Sequence, residues 1–188
     1  DNSGVVAVME LLDFNIEKTA EAALELLNAV AANDVNVLES LCLMGMIPVV
    51  IKFAGTNNKN AVRRQAALFL HQLCFAASQT MQMLIACQGL SVLVSLVEVD
   101  YKLHRDLIYR AVSCLWHILE IHGPGVTITD YCRILAHQGA TERLVSSLKS
   151  AAQELRTMGR ETGGSVGHSP SPSVTSQSNL IAHPTDLS

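Results

Sequence analysis

Two motifs recur along this 188-residue chain with one period and a fixed phase, and that repetition restricts the fold more than any other feature. Four segments open on a glycine and run into aliphatic residues, at Gly4, Gly45, Gly89 and Gly139. Their starts lie 41, 44 and 50 residues apart by subtraction. Midway between them falls a second motif, Ala22-Ala23-Leu24, then Ala66-Ala67-Leu68, then Ala111-Val112-Ser113, with starts 44 and 45 residues apart. A unit of this size cannot bury its apolar side alone, so neighbouring units must stack into one continuous core.

A period of about 40–47 residues with two or three helices is the armadillo/HEAT range. Each unit divides into a glycine that ends the preceding helix in left-handed geometry, an apolar helix, a polar loop such as Thr56-Asn57-Asn58-Lys59-Asn60, a longer helix carrying the Ala-Ala pair, and a short third helix. The expected fold is all-α, an armadillo/HEAT-like α-solenoid of about three and a half repeats. Its expected span is residues 1–156, with repeats at 4–44, 45–88 and 89–138 and a partial one at 139–156. From 157 to 188 the chain turns Gly/Ser/Pro-rich and reads as a disordered tail or linker. Within it, Ser169 and Ser171 each precede a proline, the pattern of proline-directed phosphorylation. The chain opens inside the repeat pattern without an initiator Met and reads as an excerpt of something longer.

Composition agrees. Apolar residues make up 49%, charged residues 16% and aromatics 4%. Aliphatic-rich, aromatic-poor chains suit packed helices better than β-sandwiches. A net charge of −4 argues against nucleic-acid binding. The stretch from Gln65 to Val97 lacks Asp, Glu, Lys and Arg, yet His71, Gln72, Gln79, Thr80 and Gln82 interrupt it, so it reads as short buried helices and not as a membrane span. Five cysteines (Cys42, Cys74, Cys87, Cys114, Cys132) lie in apolar runs without a CxxC pair, which reads as reduced, buried, cytoplasmic thiols. No catalytic motif, metal-ligand spacing or phosphate loop is present, so neither a cofactor nor a metal is expected, and the fragment is read as non-enzymatic.

Two sets of residues are candidates for protein binding. Asn28, Gln72 and His117 occupy one repeat position, at intervals of 44 and 45. In armadillo proteins the matching position is often an Asn on the concave groove, where one amide offers a donor and an acceptor to an extended peptide. The Trp that such grooves place four residues earlier is replaced here by Leu24, Leu68 and Ser113. The second set is charge. Residues 1–45 carry eight acids and one base, whereas residues 46–120 carry four acids and seven bases: Lys52, Lys59, Arg63, Arg64, Lys102, Arg105 and Arg110. Of these, Lys59, Arg63, Arg64, Lys102, Arg105 and Arg110 are the candidate ridge for an acidic protein surface. A solenoid cut to these units also leaves uncapped ends through which a homodimer could form.

The stretches TMQMLIACQGL (80–90) and DYCRILAHQG (130–139), with Ala66-Ala67-Leu68-Phe69-Leu70-His71-Gln72 and Val92 to Tyr101, resemble the C-terminal armadillo-like region of the MAP kinase kinase kinase epsilon family, which includes the fungal septation-initiation and mitotic-exit kinases. The resemblance covers roughly residues 62–148. It implies a Ser/Thr kinase domain outside this chain and a non-catalytic module that localises or regulates it at the spindle pole or division site. A Ras-like GTPase and spindle-pole scaffolds are the partners it implies. The other reading left open is a peptide-binding armadillo adaptor unrelated to a kinase.

Overall fold

The computed structural model describes residues 3–14, 16–32, 34–120 and 128–162. They form ten helices among the described residues: α1 (Ser3–Asp13), α2 (Glu17–Ala31), α3 (Val35–Leu43), α4 (Met46–Ala54), α5 (Asn60–Ala76), α6 (Ser78–Ala86), α7 (Gly89–Leu96), α8 (Tyr101–Glu120), α9 (Ile128–His137) and α10 (Ala140–Thr162). The three-helix unit repeats as α1–α2–α3, α4–α5–α6 and α7–α8–α9, with α10 beginning a fourth. The helices bearing the Ala-Ala motif stack directly, α2 on α5 and α5 on α8, and α10 then packs on α8. The architecture is an all-α solenoid.

Local chemistry sets the boundaries. The side chain of Asp34 accepts from the Asn36 amide at 2.8 Å and starts α3. Asn58 Nδ2 donates to the Lys52 carbonyl at 2.9 Å, closing the end of α4. Gly45 and Gly139 take positive φ (86° and 74°) at the turns into α4 and α10, as expected for glycines that end a helix. Gly89 differs. The left-handed residue at that turn is Gln88, with φ 65°, and Gly89 is the first residue of α7. A Cβ at Gly89 would lie 2.5 Å from the Leu84 side chain and 2.6 Å from its carbonyl oxygen. The glycine is there because α6 and α7 approach too closely for any side chain.

The core runs without a break through the units. Phe69, Leu70 and Leu73 of α5, Leu84 of α6 and Leu96 of α7 are wholly buried, and Ala66 and Ala111 give the stacked helices room to close. The uncharged run resolves into most of α5 followed by α6 and α7, which meet at 88°. No single helix among the described residues is long and apolar enough to cross a membrane.

Two expectations change. Helix α10 continues to Thr162, past the expected end of the solenoid at 156. Ser169 and Ser171 fall outside the described residues. The thiols of Cys42, Cys74 and Cys114 are buried, but Cys87 is half-buried and Cys132 stands on an exposed face of α9.

Candidate protein-interaction surface

The polar column sits in the stacked row and is knitted into it. Asn28 on α2 is buried, and its Nδ2 donates to the Gln65 carbonyl at 2.9 Å and to Gln65 Oε1 at 3.0 Å on α5. Gln72 on α5 reaches back, its Nε2 lying 3.4 Å from the Asn28 carbonyl oxygen. Thus both amides spend their donors on the neighbouring unit. Asn28 Oδ1 and Gln72 Oε1 are buried with no partner among the described residues. His117 on α8 stacks on Phe75 with ring centroids 4.3 Å apart, and His71 lies tilted against the same ring at 4.6 Å. Burial first, then the nearby charges of Arg110 and His117, hold the His71 imidazole below its ordinary 6.5.

The basic ridge divides into spent and free cations. Lys59 pairs with Glu17 at 2.5 Å, Arg63 with Glu98 at 2.5 Å and Arg105 with Glu154 at 3.2 Å. Arg63 is also held by the Ala54 carbonyl and is only 4% exposed, so it serves the inside of the solenoid. Arg64 and Lys102 are exposed and line a hollow of about 280 Å³ between the first turns of α5 and α8, together with Asn60, His104 and Asp106. Arg110 stands half-buried on α8, near enough to the stack for its charge to act on His71.

The sequence pattern did not single out Phe75 or Trp116. Phe75 is 45% exposed and in contact with two histidines, and Trp116, the chain's one tryptophan, is 65% exposed on α8. The signal for Trp116 was its place immediately before His117 in the repeat register. For Phe75 there was none, since an aromatic in an apolar run reads as core.

Among the described residues no group of three or more His, Cys, Asp or Glu could hold a metal ion. Burial, then the neighbouring Cys87 and Glu39, pushes the Cys42 thiol up to about 11. Cys74 is pushed higher still by its hydrogen bond with Cys114 and by burial. Both stay protonated thiols and lack nucleophilic character at neutral pH.

No protein-family model matches the chain. It is 36% identical over 156 residues to MAP3K epsilon protein kinase 2 of Arabidopsis thaliana, a match covering 82% of this chain and 11% of that protein. It is 32% identical over 152 residues to cytokinesis protein sepH of Aspergillus terreus, covering 80% and 11%. This chain is related to the MAP3K epsilon and sepH family. A more distant member is cell division control protein 7 of Schizosaccharomyces pombe, 24% identical over 80% of this chain and 14% of that protein. The chain therefore spans only about a tenth of the length of these relatives. At 156 residues the match is longer than the stretch 62–148. Two engineered proteins of known crystal structure share the fold, with TM-scores of 0.62 and 0.61 at 20% identity, over 75% and 86% of this chain and 54% and 64% of theirs.

Proposed function

We propose that the chain is a non-catalytic protein-interaction module that localises or regulates a cell-division Ser/Thr kinase. The observation that carries this reading is a stacked helical row with two ridge cations, Arg64 and Lys102, exposed in one hollow, in a chain whose relatives are MAP3K epsilon kinases and cytokinesis proteins. Arg64 and Lys102, with Arg110 and the His71–Phe75–His117 stack farther along the row, face an acidic protein surface, and the aromatic stack supplies the apolar part of the contact. A Ras-like GTPase or a spindle-pole scaffold fits the description, and action at the division site follows from either. The kinase domain of the parent lies outside this chain in this reading.

Capture of an extended peptide on the polar column has less support, because Asn28 and Gln72 already use their amide donors between α2 and α5. The two readings separate in one binding experiment with the nucleotide-loaded GTPase and with a spindle-pole scaffold fragment as probes. Reversing both free cations (Arg64→Glu with Lys102→Glu) should weaken binding by at least about tenfold and flatten its salt dependence. Unchanged affinity for every probe rejects the basic docking surface. A loss on Gln72→Ala instead would favour the peptide adaptor.

A further inference from the structure

The first unit of the stack presents an open apolar groove. Helices α1, α2 and α3 wall a hollow of about 480 Å³ lined by Val5, Val8, Leu26, Val30 and Val37, with Met44 at its foot. Moving forward 44 residues carries Leu26 to Leu70, Val30 to Cys74 and Val37 to Met81. Leu26 and Val30 are 53% and 48% exposed, whereas Leu70, Cys74 and Met81 are 0%, 1% and 3% exposed. Ala22, Ala66 and Ala111 behave alike: the first is exposed and the other two are fully buried. The same face is closed wherever another unit precedes it. At the second unit the helices that close it are α2 and α3, lying on α5 and α6.

We propose that this groove is the socket for a preceding repeat of the same polypeptide, a helix pair equivalent to α2 and α3 one period earlier, encoded upstream of Asp1. The socket continues the α2–α5 and α5–α8 interfaces in position and in side-chain size. Relatives of which the matched stretch is only 11% leave ample chain to supply the occupant. The rim permits it, since Ser40 Oγ already donates to the Asn36 carbonyl at 2.8 Å and Asn36 Nδ2 to Asp34 Oδ1 at 3.0 Å, so covering them strands neither donor.

The test places Leu26→Cys in two polypeptides, the 188-residue chain and the same chain extended upstream through one more period of its encoded sequence. Maleimide alkylation at residue 26 is followed by peptide mass spectrometry, with the exposed Cys132 as internal reference. The expected result is alkylation slowed roughly tenfold or more in the extended chain, because access then requires local opening. Equal rates in the two chains overturn the proposal. Protection in the 188-residue chain that grows with its own concentration also overturns it, assigning the groove to a second copy. As a check that does not depend on labelling, Val30→Asp should lower the melting temperature of the extended chain and leave that of the 188-residue chain within error. An upstream sequence without a helical repeat rejects the socket outright.

Discussion

Arg63 offers the sharpest test of how the solenoid is held together. Its guanidinium donates to the Ala54 carbonyl at 3.3 Å and to Glu98 Oε1 at 2.5 Å, tying the first turn of α5 to the end of α4 and to the loop after α7. The side chain of Arg63 is 5% exposed and that of Glu98 is 20% exposed. Removing one partner of a buried pair costs about 3–5 kcal/mol, mostly because the other charge is left in a poor solvent. The two single variants should therefore differ. Glu98→Ala abandons a guanidinium that cannot lose its proton, and should cost about 3 kcal/mol or more. Arg63→Met abandons a carboxylate that still reaches water, and should cost less, about 2 kcal/mol, including the Ala54 carbonyl left without its donor. The double variant buries no lone charge and should be no worse than Glu98→Ala alone, giving strong non-additivity. By contrast, Lys59→Met breaks a pair that is 75% and 41% exposed, and should cost below about 1 kcal/mol despite an equally short bond. Urea unfolding followed by far-UV circular dichroism measures all four. Additive losses under about 1 kcal/mol for both Arg63→Met and Glu98→Ala would refute the argument, showing that the pair is solvated and that Arg63 is available to a partner.

Other consequences follow from the same geometry. Leu70→Ala should destabilise by about 2–5 kcal/mol, while Leu26→Ala at the matching repeat position stays within about 0.5 kcal/mol in the 188-residue chain; both are read by urea midpoint. Gly89→Ala should cost about 1–3 kcal/mol, because the new Cβ meets the Leu84 backbone as well as its side chain, and a wild-type melting temperature would count against the close approach. His71 has a folded-state pKa below 6.5, so the unfolded chain binds its proton first; stability falls as pH drops through 6.5 and levels off below the folded value. His71→Gln should remove that part of the acid dependence in unfolding curves taken from neutral to mildly acidic pH.

Most of the fold was legible because the repeat carries its own proof. The repeated motifs that begin at Ala22, Ala66 and Ala111 predicted three equivalent helices, and the structure stacks them in that order. What composition and spacing could not reveal is which member of a repeated set is used up. Arg63 and Arg64 are adjacent in the sequence, yet one is locked under α4 and the other stands in the open hollow, because a helix turns by about 100° per residue and only one of the two can face the core. Gln88 and Gly89 show the same limit at a turn. A glycine at a repeat boundary signals left-handed backbone, but here the neighbour adopts it and the glycine answers a steric need visible only once α6 lies against α7.

The distinction between spent and free groups also decides how the docking surface should be sought. Six bases read from the sequence as one ridge would predict a broad, salt-sensitive footprint along α5 and α8. With Lys59, Arg63 and Arg105 neutralised by Glu17, Glu98 and Glu154, the field that remains along the ridge comes from Arg64, Lys102 and Arg110. A partner steered by that field needs few acidic groups, and the rest of its contact must be apolar, which is what Phe75 and Trp116 offer on the same row. Phe75→Ala and Trp116→Ala should therefore raise the dissociation rate and leave the association rate near its original value, whereas reversing Arg64 and Lys102 should slow association. If the aromatic variants slow association and the charge variants do not, the surface is being used in the opposite sense and the partner approaches along another face of the stack.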